Sequence, residues 1–344
     1  MKFSANEFIR LYEQDGITVP IVSLRAVRLR NENQKAALAE ALGEICKNIG
    51  FFYVEDHGVS ENLLTLAEKT VRNFFALSEE EKLKIHISKS PYHRGYVPSG
   101  EEHAYGSEIK DIKEAFDMAL ELSPADEDVI AGKFFNGPNS FPEALPQFKP
   151  TMLWLYREWQ AVCEDISELF AIALGLPNGF FIGHSQKPLA QLRAAKYPQQ
   201  PKRETNGAIG CGAHTDYGIV SIIWQIDVAG LEIKDMDGNW FAAPRIPGTF
   251  ICPIGDALGI WTNGQWRPTP HRVVNMTEQE RHSLSFFYDQ DNDCLIQPLP
   301  QFVDEAHPAC YQPITMEAHV ARGFDNSFED RKLQENAKGE CCEY

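Results

Sequence analysis

The chain has 344 residues, 43% hydrophobic and 24% charged, with a formal net charge of −17. That length accommodates a large core, and such acidity argues against nucleic acid or anionic lipid as a partner, since both need a Lys/Arg surface. No apolar run approaches the roughly 18–20 residues that span a bilayer. The start, MKFSANEFIRLYEQDG, lacks an apolar signal core. Eight cysteines show no framework spacing and no CxxC pair, and Cys341 and Cys342 are adjacent in a polar tail. They read as free thiols in a reducing cytoplasm, not as a disulfide scaffold or a zinc site.

In chain order, QKAALAEALGEICKNIG places Leu38, Leu42, Ile45 and Ile49 on one helical face, closed by Gly50. FFYVEDHG reads as a strand entering a turn. ENLLTLAEKTVRNFFAL is helical again, and Ser78 with Glu81 makes a capping box for a short following turn. The acidic run SEEEK is a solvated helix face. Residues 86–150 are rich in Pro, Gly and His, and HRGYVPSGEEH and FFNGPNSFPEALP read as loops. A long helix carries Met152, Leu155, Trp159, Val162, Ile166, Leu169 and Ala173, ending at Gly175 with Pro177 beyond. These apolar positions are core.

From about Leu189 the period changes from 3.6 to 2. The β-rich segments are LRAAKYP, HTDYGIVSIIWQ, GLEIKDMDGNW, TFICPIGD, LGIWTNGQW, HRVVN and RHSLSFFYD. DMDGNW and TNGQW carry Asp-Gly and Asn-Gly hairpin signals. So many short strands predict a closed sheet or double-sheet jelly roll buttressed by helices. The fold class is mainly β with flanking helices.

The chemistry gathers in GAHTDYG. Side chains two apart on an extended chain project the same way, so His214 and Asp216 converge. A buried carboxylate needs a counter-charge. His271, in PTPHRVVN, supplies a third donor. Two His and one carboxylate make a facial triad that leaves positions of an octahedral metal open, which suits non-haem Fe(II). Alone, an H-x-D pair is commonplace and a single buried His is more often a satisfied core residue. In RHSLSFFYD, alternation puts Arg281, Ser283, Ser285 and Phe287 on one face and His282 on the other. If the first face is interior, Arg281 needs a buried anion, and its planar fork suits a carboxylate.

Together these stretches resemble the 2-oxoglutarate- and Fe(II)-dependent oxygenases of the isopenicillin N synthase-like group. VPIVSL and GFFYVEDHGV are similar to that family's N-terminal region. GAHTDYG, TPHRVVN and RHSLSFF are similar to its H-x-D, distal His and R-x-S elements. His271 follows Asp216 by 55 positions and Arg281 comes ten later. The resemblance covers most of the chain and implies a double-stranded β-helix (jelly-roll) barrel core over residues 187–295. It further implies an N-terminal helical and strand region over 19–125, within one integrated domain of residues 1–344. It implies Fe(II) on His214, Asp216 and His271, and 2-oxoglutarate on Arg281 and Ser283. Tyr197, before Pro198 in LRAAKYP, is the further co-substrate candidate, although Ala195 stands where plant members often carry Asn. Arg193 on the same strand, a position some relatives use for an anionic substrate, and Phe287 are the substrate-binding candidates.

The implied reaction consumes 2-oxoglutarate and O₂, releases succinate and CO₂, and oxidises a small organic molecule, with hydroxylation as the default over desaturation or ring closure. Such an enzyme would be a monomer or weak dimer in secondary metabolism. Two readings of the same motifs stay open: an Fe(II) oxidase of the isopenicillin N synthase type that uses no 2-oxoglutarate, and an ethylene-forming variant. A non-catalytic metal-binding barrel is the third, and the presence of all three ligands argues against it. HRGYVPSGEEHAYG and FFNGPNSFP are the expected wall or lid pieces.

Overall fold

Thirteen strands of the computed structural model, which describes residues 7–28, 31–103, 110–199, 209–274 and 279–327, fall into two sheets. In chain order β1 (Ile9–Gln14), β2 (Ile17–Ser23), β3 (Phe51–Glu55), β4 (Gly95–Val97), β5 (Glu114–Ala119) and β6 (Gln191–Tyr197) come first. They are followed by β7 (Cys211–His214), β8 (Val220–Gln225), β9 (Leu231–Lys234), β10 (Trp240–Ala242), β11 (Phe250–Pro253), β12 (His271–Val273) and β13 (Arg281–Tyr288). The larger sheet has nine strands in the order β1-β2-β3-β11-β8-β13-β6-β5-β4, and the smaller has four in the order β10-β9-β12-β7.

The molecule is mainly β with flanking helices, as expected, and has the jelly-roll architecture. The expected closure is corrected: the sheets are separate ladders, not joined into a barrel. They meet through side chains instead. Tyr53, Tyr197, Ile223 and Ile251 of the larger sheet pack with Leu231, Ile233 and Val273 of the smaller one. Removing these apolar surfaces from water holds the two sheets face to face.

The other face of the larger sheet is covered by helices. The helix Phe148–Ala173 buries Trp159, whose ring lies edge-on to Phe250 of β11 at 5.4 Å. Its i, i+3, i+4 apolar rhythm is what presents a continuous stripe to the sheet. The helix Glu32–Asn48 is capped by Asn31 and the helix Glu61–Phe75 by Ser60, each side chain accepting a hydrogen bond from an otherwise orphaned backbone N–H. Of the expected capping box, the Ser78 half forms, with Glu81 N–H donating to Ser78 Oγ at 3.3 Å, while the Glu81 carboxylate pairs with Lys84 instead.

Three local expectations are corrected. HRGYVPSGEEH contains β4, and the unremarkable EAFDMA is β5, an interior strand between β4 and β6. LGIWTNGQW is not a hairpin: Asp256–Trp261 is a short helix, and Asn263 (φ 51°) and Gly264 (φ 82°) follow its end. The positive φ that an Asn-Gly pair tolerates serves a helix terminus as readily as a tight hairpin. Asp216 lies beyond the end of β7, in the loop to β8, and not on a strand. Cys341, Cys342 and residues 104–106 of the expected lid lie outside the described residues.

Candidate active site

Strand pairing brings the donors together. His214 ends β7, His271 begins β12, and the two residues are register partners across that antiparallel ladder. Their rings come to 4.4 Å between centroids. The Nδ1 atom of each ring faces a carbonyl two residues earlier: Gly212 O at 2.8 Å for His214 and Thr269 O at 3.0 Å for His271. Donation there fixes the tautomer and turns each Nε2 lone pair inward. Both Nε2 atoms lie 3.7 Å from Asp216 Oδ1.

Asp216 is 4% exposed, and its Oδ2 has no hydrogen-bond partner. A buried carboxylate in that state is costly without a cation. Burial also pushes His271 below its ordinary pKa, so the imidazole is held in the neutral form that a metal takes. Among the described residues, these three side chains are the group able to hold a metal, their donor atoms lying within 4.8 Å of one another. One hard oxygen and two neutral imidazoles fit Fe(II) with open positions.

A second cluster lies deeper, between the sheets. Arg281 is fully buried and faces Tyr197 across the β13–β6 ladder, its guanidinium 4.7 Å from the Tyr197 ring. Its Nη1 reaches Ser283 Oγ at 3.4 Å and its Nη2 reaches Gln225 Oε1 at 3.4 Å, while Nε has no partner. Two long contacts to neutral groups do not compensate a buried guanidinium. The arrangement is a socket for a carboxylate, which would accept two parallel hydrogen bonds.

Gln225 was not anticipated as part of this socket. Its side chain is fixed by accepting from Gly230 N–H at 3.0 Å and donating to Ala243 O at 3.1 Å. Gly230 was not anticipated either. A Cβ there would stand 2.8 Å from Arg281 Cδ, so the glycine leaves room for the side chain to pass.

His282 points to the opposite face of β13, as alternation requires. Its Nδ1 lies 3.0 Å from Asp227 Oδ2 and 3.1 Å from Arg72 Nη1. His282→Gln is therefore expected to retain iron at one Fe(II) per chain, measured after anaerobic reconstitution. Loss of the metal would place His282 among the donors.

A cavity of about 400 Å³ opens beside His214 and Asp216. Arg193 and Phe287 both line it, whereas Tyr197, Arg281 and Ser283 do not. Arg193 is already neutralised. Its Nε donates to Asp117 at 2.7 Å and its Nη2 to Glu102 at 2.7 Å. The expectation of an anionic substrate group at Arg193 thereby loses its physical basis. Lys113 on the same wall is paired with Glu102 at 2.8 Å and with Asp111 at 2.5 Å.

Asp289, also on the wall, is pushed up to about 8 by burial and by the like charges of Asp216 and Asp256. The helix Met316–Ser327 contributes His319, Arg322 and Phe324 to the lining. Neither feature was anticipated from the sequence.

Comparison with known proteins agrees with this geometry. Residues 19–144 match the family described as non-haem dioxygenase in morphine synthesis N-terminal, and residues 188–290 match the 2OG-Fe(II) oxygenase superfamily. Homoarginine-6-hydroxylase 2-ODD-C23.1 of Arabidopsis thaliana is 36% identical over 302 residues, covering 83% of this chain and 88% of that protein. The 2-oxoglutarate-Fe(II) type oxidoreductase hxnY of Emericella nidulans is 28% identical over 299 residues, 86% of each chain. A full-length Neurospora crassa protein crystallised in complex with alpha-KG superposes with a TM-score of 0.78 at 25% identity, covering 90% of this chain and 97% of that one. The donor set, the carboxylate socket and these relationships converge: the chain belongs to the 2OG-Fe(II) oxygenase superfamily and is a 2-oxoglutarate- and Fe(II)-dependent oxidoreductase.

Proposed function

We propose that the protein couples decarboxylation of 2-oxoglutarate to hydroxylation of a small, polar, amino-acid-like molecule held in the cavity beside His214 and Asp216. His214, Asp216 and His271 would hold Fe(II), and Arg281, with Ser283, Tyr197 and Gln225, the distal carboxylate of 2-oxoglutarate. The observation that carries this reading is the fully buried Arg281 with an unpartnered Nε and two 3.4 Å contacts to neutral groups.

Once bound, the iron would supply the activation of O₂, which is the oxidant, with 2-oxoglutarate as the electron donor that leaves as succinate and CO₂. The chain's own part is geometric. The backbone carbonyls of Gly212 and Thr269 orient the imidazoles. Arg281 orients the co-substrate by its planar fork, and Tyr197 backs the guanidinium. Phe287 gives the cavity an apolar surface that excludes water, and Arg193 positions Glu102 and Asp117. The relatives named homoarginine-6-hydroxylases support a substrate of amino-acid size and hydroxylation as the outcome. A cytoplasmic setting belongs to the same reading, supported by six free cysteines among the described residues.

The test is the dependence of turnover on 2-oxoglutarate. Succinate release is expected to require 2-oxoglutarate, Fe(II) and O₂, and to rise above its uncoupled rate when the substrate is added. Oxygen uptake at full rate without 2-oxoglutarate would transfer the protein to the oxidase alternative.

A further inference from the structure

One carboxyl on the cavity wall has no task in the reaction above. Asp289 follows the last residue of β13 and is 4% exposed. Among the described residues it accepts no hydrogen bond and forms no ion pair, and its Oδ1 is a buried, unsatisfied atom. The chain makes room for it: a Cβ on Gly218 would fall 1.9 Å from Asp289 Oδ1. Ionising a group so enclosed calls for a counter-charge beside it.

The cavity's own cations do not provide it. Lys113 is held by Glu102 and Asp111, and Arg193 by Asp117 and Glu102. Arg322 also lines the space, where it has interactions of its own, and Asp289 forms no ion pair among the described residues. The charges acting on Asp289 are those of Asp216 and Asp256, both negative. Iron(II) on Asp216 would leave one positive charge over, and the two carboxylates of bound 2-oxoglutarate would more than offset it, so Asp289 would still lack a counter-charge.

A second unsatisfied group stands on the same wall. Gln191 is the register partner of Phe287 across the β6–β13 ladder, is 5% exposed and lines the cavity. Its Nε2 has no hydrogen-bond partner. The cavity therefore presents an unpaired carboxyl and an unpaired amide to whatever enters it, beside the apolar ring of Phe287.

We propose that the site takes a substrate whose side chain ends in a cationic nitrogen, an ammonium or guanidinium group, held by the Asp289 carboxylate with the Gln191 amide as a second polar contact. This rests on the reading of the cavity as the place of the hydroxylated substrate. A cation entering here removes the burial penalty of Asp289, and a guanidinium would do so with two parallel hydrogen bonds. A neutral isostere of the same shape leaves the carboxyl uncompensated. Discrimination on charge follows from that difference.

The experiment is calorimetric titration of the whole protein, anaerobic and loaded with Fe(II) and 2-oxoglutarate. The probes are L-homoarginine, L-lysine and agmatine, each with a cationic terminus, and L-homocitrulline, which shares the α-ammonium of the first but ends in a neutral urea. Wild type is expected to bind L-homoarginine at least tenfold more tightly than L-homocitrulline. Asp289→Asn is expected to erase that preference. Equal affinity of wild type for the two isosteres, or failure of every cationic probe to bind, overturns the proposal without any variant. An Asp289→Asn protein that keeps the preference overturns the role of Asp289. Affinity for 2-oxoglutarate, measured by a prior titration of the same protein holding Fe(II) alone, separates the two levels: normal co-substrate binding with no charge preference defeats this inference alone, whereas a wild type that binds no 2-oxoglutarate defeats the reading beneath it.

Discussion

Protein carrying Arg281→Ala is expected to bind 2-oxoglutarate about 30-fold to several thousand-fold more weakly than wild type. The range corresponds to about 2–5 kcal/mol for truncating one partner of a buried, hydrogen-bonded charge pair. The direction follows from the socket. Arg281 is fully buried, is braced by the Tyr197 ring and the Gln225 side chain, and lacks an anion of its own. Arg281→Lys should recover only part of the loss, because an ammonium cannot donate a parallel pair. Ser283→Ala removes a single hydroxyl contact and should cost about 1 kcal/mol. Titration calorimetry with 2-oxoglutarate checks all three. Wild-type affinity in Arg281→Ala would move the co-substrate away from this strand.

Asp216→Ala is expected to abolish both iron binding and turnover, lowering the metal content from one Fe(II) per chain to a trace after anaerobic reconstitution. His214→Ala and His271→Ala should do the same, because each removes one of only three donors. The metal-free proteins should respond differently. Asp216 Oδ2 is buried without a partner, so its removal relieves an uncompensated group, and apo Asp216→Ala should melt no lower than apo wild type. His271 fills space at the start of β12 and is 3% exposed, so apo His271→Ala should melt lower. Thermal denaturation by circular dichroism separates the two cases. Full turnover in any of the three variants would remove that residue from the metal centre.

The metal donors are legible in the sequence because a short spacing and a β pattern suffice to bring His214 and Asp216 together. The route differs from the simple one, since Asp216 sits in the loop after β7. Arg281 and Ser283 are legible through alternation along one unbroken strand. Gln225 and Gly230 are not, because they reach Arg281 only through β8 lying beside β13, a pairing that no local pattern announces. The one signal is a glutamine ending the apolar run IVSIIWQ. Arg193 was assigned to the correct strand, but its partners come from β5 and from Glu102, far away in sequence. EAFDMA has weak β-formers and becomes a strand by tertiary pairing with β4 and β6. Asp289 lies one residue past a strand whose other end carries the recognised motif. A carboxylate after an apolar run reads as a turn signal until its surroundings are known.

The helix Met316–Ser327 stands apart from both ladders yet supplies one side of the cavity. Phe324 stacks on Phe135 at 5.5 Å, and Gly323 lets the Tyr217 ring lie against the helix backbone. The iron donors and the Arg281 socket, by contrast, belong to segments between Tyr197 and Ser283 that must keep their register. Substitutions at His319, Arg322 or Phe324 would therefore reshape one side of the cavity while leaving untouched the strand register that sets the iron donors and the Arg281 socket.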